Sequence, residues 1–117
     1  DNDTLFGGAG DDSLAGNGGH DVLYGGTGDD ILSGGTGGDA FYFKEGSGAD
    51  TVLDFGLGDD TLMLEGYSDR FDSIAEIVGS AHLATQNGVT GLMLELGEGN
   101  SIFLVGIDKI TDLVIVL

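Results

Sequence analysis

Apolar side chains recur every nine residues along the first part of the chain. Leu5, Leu14, Leu23, Leu32 and Phe41 hold one register, and the sequence between them is rich in glycine and aspartate. Four contiguous nine-residue blocks carry the pattern: Gly7–Ala15, Gly16–Tyr24, Gly25–Ser33 and Gly34–Tyr42. Asp1–Phe6 reads as the last six positions of a fifth block. Within a block the first six positions suit a tight turn, because glycine allows positive φ and close backbone approach. The last three positions form a very short strand. One such strand cannot bury its apolar residue alone, so successive copies must stack. With one turn and one strand per block, two blocks close a coil of 18 residues. Odd blocks then form one parallel sheet, and even blocks form a second sheet facing it. The eighth position points inward and its neighbours point outward.

The two outer faces differ. One displays Thr4, Phe6, Val22, Tyr24, Ala40 and Tyr42, the other Ser13, Ala15, Ile31 and Ser33. Phe6, Tyr24 and Tyr42 thus form an aromatic ladder. Two readings stay open: another part of the protein covers this face, or the ladder is a stacking platform for a sugar or a partner.

Beyond Tyr42 the period loosens. Gly46–Val52 and Gly56–Leu62 keep the Gly-x-Gly-x-Asp-x-apolar core, with aspartates at Asp50 and Asp60. They predict two irregular coils with strands near Thr51–Leu53 and Thr61–Leu64. From Tyr67 onward glycine and aspartate thin out. Phe71, Ile74, Ile77 and Val78 have helical spacing, and Gly79 ends that segment. A strand is expected at His82–Gln86. Val89–Leu96 and Ser101–Val105 flank the hairpin turn Gly97–Asn100. Ile107–Asp112 suits a turn or one helical turn, and the apolar Leu113–Leu117 suits a strand. The chain therefore divides into a roll over 1–66, regular to 42 and irregular over 43–66, and a cap over 67–117 that closes the stack. The fold class is all-β: a two-sheet parallel β-roll with a β-rich cap holding one short helix.

Composition adds chemistry to this picture. Asp plus Glu number 21 against 3 Lys plus Arg, for a net charge of -18 over 117 residues. Nucleic acid and anionic membrane surfaces would repel such a chain, and a cation is its natural partner. Apolar residues make up 40%, too many for an acidic disordered segment. Cysteine is absent, which removes disulfides and thiolate metal sites. No signal peptide or membrane-spanning run is visible, and a chain that opens in mid-repeat is expected to be a piece of a longer protein.

The sixth position of the blocks holds Asp3, Asp12, Asp21, Asp30 and Asp39. Stacking brings Asp3 to Asp21, Asp12 to Asp30 and Asp21 to Asp39, so each pair can share an ion. Oxygen-rich turns suit calcium, which takes six to eight oxygen ligands. Zinc and copper fit poorly with no cysteine and 2 histidines. Magnesium demands a stricter octahedron. Without ions the paired carboxylates repel, so binding and folding become one equilibrium.

The blocks resemble the Gly-Gly-x-Gly-x-Asp-x-apolar-x nonapeptide of RTX (repeats-in-toxin) proteins, strictly over 1–42 and loosely over 43–64. The segment Asp50–Leu62 and the tail are similar to the C-terminal part of RTX lipases, proteases and adhesins. The resemblance implies a parallel β-roll with calcium between same-side turns. It implies one site from Gly8, Gly10 and Asp12 with Gly25, Thr27 and Asp30. A second uses Asn17, Gly19 and Asp21 with Gly34, Thr36 and Asp39, and a third uses Asp3 with Gly16, Gly18 and Asp21. Gly26, Gly28 and Asp30 pair with Asp50, and Gly35, Gly37 and Asp39 with Asp60. Asp54 and Asp59 are further candidates. It also implies type I secretion through an uncleaved C-terminal signal, which Asp112–Leu117 resembles.

Other chemistry fits poorly. Gly25-Gly-Thr-Gly lacks the Lys-Ser/Thr of a phosphate loop. The neighbours Asp11/Asp12, Asp29/Asp30 and Asp59/Asp60 recur with the period, whereas a glycosidase site is needed once. His20 and His82 suggest no special role, no catalytic constellation assembles, and the EF-hand loop is absent. The expected function is a calcium-binding C-terminal module of a secreted protein, folding after export and assisting an N-terminal partner domain. The alternatives are a polysaccharide-associated module resembling those of secreted alginate epimerases, or the tail of a secreted lipase, protease or adhesin.

Overall fold

The computed structural model describes residues 1–44, 46–56, 59–65, 81–107 and 115–116. The regular blocks each supply one three-residue strand, lengthening at the fourth: β1 (Thr4–Phe6), β2 (Ser13–Ala15), β3 (Val22–Tyr24), β4 (Ile31–Ser33) and β5 (Ala40–Lys44). The irregular coils supply β6 (Ala49–Val52) and β7 (Thr61–Glu65). Then follow β8 (His82–Gln86), β9 (Val89–Gly97), β10 (Asn100–Val105) and β11 (Ile115–Val116).

The strands sort into two sheets, ordered β1-β3-β5-β7-β11 and β2-β4-β6-β10-β9-β8. Thr4 pairs with Val22, Val22 with Ala40 and Ser13 with Ile31, all in parallel. This is the two-sheet roll that the nine-residue period predicts. The inward residues Leu23, Leu32, Phe41, Val52 and Leu62 are fully buried. Leu5 and Leu14 are only partly buried, because no coil packs on their outer side among the described residues.

The cap continues both sheets. β10 pairs in parallel with β6 (Ile102 to Asp50), and β9 and β8 then add antiparallel. Leu92, Leu94, Leu96, Ile102 and Leu104 pack into the same core as Leu32 and Val52. Asn87 and Gly88 join β8 to β9 with φ of 52° and 80°, the two positive values that a tight hairpin of this kind requires. β11 adds to β7 on the other sheet. The helix expected over Phe71–Val78 and the stretch 108–112 lie outside the described residues, which contain no helix.

Candidate metal centre

The sixth-position aspartates end each turn just before its strand. Their backbone N–H groups donate to the carboxylate of the aspartate one coil further on. Along one side Asp3 N–H reaches Asp21 Oδ1 at 2.7 Å, Asp21 reaches Asp39 at 2.8 Å, and Asp39 reaches Asp60 at 2.8 Å. Along the other, Asp12 reaches Asp30 at 2.8 Å and Asp30 reaches Asp50 at 2.9 Å. Two columns of carboxylates therefore run along the roll. Asp21, Asp30, Asp39 and Asp50 are at most 2% exposed. Oδ2 of each of these four, and of Asp12, is buried with no hydrogen-bond partner. Leaving such an oxygen unsatisfied costs about 1–3 kcal/mol, and more when it is charged.

The first-position glycines show what surrounds these oxygens. A methyl group on Gly7 would fall 2.8 Å from Asp12 Oδ2 and 2.5 Å from the Gly25 carbonyl oxygen. One on Gly25 would fall 2.6 Å from Asp30 Oδ2. One on Gly16 would collide with Asp21 Oδ2 and lie 2.8 Å from the Gly34 carbonyl. Glycine is needed here for room, since a carboxylate and a carbonyl oxygen converge on one point. Hard oxygen atoms, one of them charged and unpartnered, are the donor set that calcium prefers. The residues present fit that ion.

Other expected ligands are placed as follows. The carbonyls of Gly8, Gly10, Asn17 and Gly19 abut Gly26, Gly28, Gly35 and Gly37 one coil on. Gly8 and Asn17 also accept N–H from Thr27 at 3.0 Å and Thr36 at 2.9 Å, and the Gly18 carbonyl accepts from the Asp1 backbone nitrogen at 3.1 Å. A carbonyl has a second lone pair, so these bonds do not exclude an ion. Asp3 and Asp59 are exposed. Asp60 Oδ2 accepts Gly56 N–H at 2.8 Å. Asp54 accepts Ser33 Oγ–H at 2.7 Å and the Gly34 and Gly35 N–H groups at 2.9 Å each. Asp54 and Asp60 thus have backbone donors where the regular aspartates have an orphan oxygen. Among the described residues no three His, Asp or Glu side chains gather, so any ion must draw on carbonyls as well.

Burial pushes the Asp50 carboxyl up to about 7; Asp30 N–H opposes the rise and the Asp30 carboxylate adds to it. Burial is also the main cause that raises Asp30 and Asp60.

A second rail was not foreseen from the sequence. His20 N–H donates to Asn2 Oδ1 at 2.8 Å, and His20 Nδ1 lies 2.9 Å from both the N–H nitrogen and the carbonyl oxygen of Gly38, accepting from the first or donating to the second according to its tautomer. On the other side Asp29 N–H donates to Asp11 Oδ1 at 2.8 Å, and Ala49 N–H to Asp29 Oδ1 at 2.9 Å. The fifth position thus carries an acceptor side chain for the next coil. Asn2, His20, Asp11 and Asp29 at an 18-residue spacing were the available signal.

The aromatic ladder forms. Phe6 stacks on Tyr24 with centroids 4.7 Å apart and planes 7° off parallel, and Tyr24 on Tyr42 at 4.6 Å and 23°. Met63 follows Tyr42 in register. The three rings line a groove of ≈ 490 Å³, together with Lys44 and Glu65, whose charged groups lie 3.7 Å apart. Both faces of Tyr24 are covered by its neighbours. Among the described residues the outer face of Phe6, 70% exposed, is open for stacking. A ligand in the groove would therefore meet the edges of Tyr24 rather than its faces.

A parallel roll whose turns stack buried, unpartnered carboxylates in columns is a metal-binding solenoid. Residues 1–32 and 15–52 match the RTX calcium-binding nonapeptide repeat, in 4 copies. Residues 1–52 are RTX repeats, of a family that binds Ca²⁺. No curated protein matches the sequence. The structure is similar to the crystal structure of the extracellular lipase LipA from Serratia marcescens, with 29% identity and a TM-score of 0.59. The match covers 95% of this chain and 20% of the lipase, so the chain spans about a fifth of that protein.

Proposed function

We propose that this chain is a calcium-binding C-terminal module of a secreted protein, and that it folds when calcium binds after type I export. The observation that carries the proposal is the set of buried, unpartnered Oδ2 atoms on Asp12, Asp21, Asp30, Asp39 and Asp50. Asp12 with Gly25, and Asp21 with Gly34, are the ligand pairs that the glycine geometry favours. Gly8, Gly10, Asn17 and Gly19 supply further carbonyls, and Asp30, Asp39 and Asp50 continue the columns. Bound calcium supplies positive charge and fills the vacancies of these oxygens. The protein's part is to hold the turns open for it, with glycine at the crowded positions.

Inside a cell calcium is scarce and the carboxylate columns repel one another. The repeats over 1–66 then stay unfolded and exportable. Outside, at the concentrations where extracellular modules bind, about 10⁻⁴–10⁻³ M, the turns fill and the roll forms against the cap over 67–117. The similarity to an extracellular lipase supports secretion of the parent protein. An N-terminal partner domain would gain stability from the folded module. Circular dichroism during a calcium titration tests the switch. A coil-like spectrum in chelator should turn to β on adding calcium. A chain fully folded in chelator, and unchanged by calcium, would overturn it.

The groove beside the aromatic ladder favours a second reading, a polysaccharide-associated module. With a net charge of -18 the ligand would be a neutral glycan rather than a polyuronate. Resonances of Tyr24 and Tyr42 that do not move during an oligosaccharide titration would eliminate this reading.

A further inference from the structure

The turn before β6 differs from every regular turn. Ser47 stands at the third position, which Ala9, Gly18, Thr27 and Thr36 hold in the regular blocks. Those residues pair across coils, Ala9 with Thr27 and Gly18 with Thr36. Ser47 instead turns its N–H back to the Lys44 carbonyl at 3.0 Å. Its side chain is buried, with the residue 4% exposed, and its Oγ has no hydrogen-bond partner. The hydroxyl lies beside the Asp50 carboxylate, yet Asp50 Oδ2 also lacks a partner of good geometry. Two buried oxygens, one neutral and one ionisable, thus sit together in a single turn; the hydroxyl favours the ionised carboxylate, but neither oxygen makes a hydrogen bond of good geometry.

The cap clamps the same turn. Gly48 N–H donates to Asn100 Oδ1 at 3.0 Å, and Ser101 N–H donates to the Gly48 carbonyl at 3.0 Å. Asn100 opens β10 and is 6% exposed. Its side chain accepts an N–H from the preceding coil, but from Gly48 rather than from the aspartate that donates to Asp30 and Asp50. In the register of β10 on β6, Ile102 stands opposite Asp50, so the carboxylate column stops there and Asn100 holds the turn two residues before Asp50 without adding charge.

We propose that Ser47 and Asp50 form a calcium site at the junction of roll and cap, and that Asn100 ties the filling of this site to the docking of the β9–β10 hairpin. The proposal rests on the calcium reading above and adds to it a hydroxyl ligand that the repeat consensus lacks. Calcium accepts neutral oxygen donors readily, and a serine hydroxyl offers two lone pairs. The hairpin fixes the backbone of Gly48, which lowers the ordering cost of the Ser47 turn when an ion arrives. By linkage, the ion favours the docked hairpin to the same degree.

Calorimetric calcium titration and amide hydrogen exchange on the whole chain test this. Ser47→Ala should weaken one ion at least about tenfold and leave the others unchanged, and Asn100→Ala should weaken the same ion about 10–100-fold through lost support. In both variants the amides of Leu92–Leu96 should exchange faster at subsaturating calcium. A wild-type chain that binds no calcium would defeat the functional proposal itself. A wild-type chain that binds calcium, with a Ser47→Ala isotherm identical to it, would defeat only the junction site. If Ser47→Ala does not fold, Ser47→Cys keeps the side-chain size and brings a soft ligand. Cadmium should then give a thiolate charge-transfer band that calcium competes away. Absence of that band would overturn the role of residue 47.

Discussion

Asp30 illustrates how one side chain can oppose the fold and complete it. Its Oδ1 accepts the Asp12 N–H, while its Oδ2 is buried with no partner. Asp30→Asn keeps an acceptor for the N–H and removes the charge. With the buried charge removed, the calcium-free roll should be less disfavoured, and calcium should stabilise the variant less. Circular dichroism in chelator and through a calcium titration measures both arms, and a variant that calcium folds as readily as wild type would contradict the ligand role. Gly25→Ala tests the cradle. Its methyl would sit 2.6 Å from Asp30 Oδ2, so calcium affinity should fall although Gly25 has no positive φ. Asp50 sets the pH dependence. Its carboxyl is raised from 3.8 to about 7 by burial, so the folded chain holds the proton more tightly than the unfolded one. This contribution favours the calcium-free fold at acidic pH and is lost as pH rises from about 4 to about 7. Calcium needs the ionised form, so its affinity should rise over the same interval. A calcium affinity that stays flat or falls as pH rises across this window would refute the assignment.

At the scale of elements, β1 to β5 were legible because one period fixed strand, turn and inward face together. The irregular strands β6 and β7 were legible from the surviving Gly-x-Gly-x-Asp core. The hairpin strands β8 to β10 followed from apolar runs and glycine turns, but their place on the β6 edge did not, because strand order is not written in local pattern. The site divides the same way. The columns of Asp12, Asp30 and Asp50, and of Asp21 and Asp39, follow from the period. The backbone donors that occupy Asp54 and Asp60 do not, since Asp54 meets Gly34 only through a loop of irregular length. Asn100 reaches Gly48 across 52 residues and could not be seen at all. The ladder gives an element-scale prediction. Tyr24 stacks on two rings, and each such pair is worth about 0.5–1.5 kcal/mol beyond burial. Tyr24→Ala should therefore lower the melting temperature of the calcium form while leaving calcium stoichiometry unchanged. Loss of an ion in the variant would show that the ladder and the turns are not independent.

For the whole molecule, the net charge of -18 raises two explanations for a calcium requirement. Calcium could act as a general counter-ion that relieves surface repulsion, or it could fill the buried columns. Salt separates the two. At 1 M ionic strength the screening length is about 3 Å, and exposed charges scarcely interact across the molecule. Exposed acids such as Asp11, Asp29 and Asp59 would then cease to oppose folding. The carboxylates of Asp21, Asp30, Asp39 and Asp50 are walled off from solvent, and mobile ions screen them far less. Sodium chloride at about 1 M should therefore leave the calcium-free chain unfolded, while millimolar calcium at low salt folds it. Circular dichroism under the two conditions decides the matter. Folding by salt alone would mean that the columns are not what holds the apo chain open, and that the orphan oxygens find other partners.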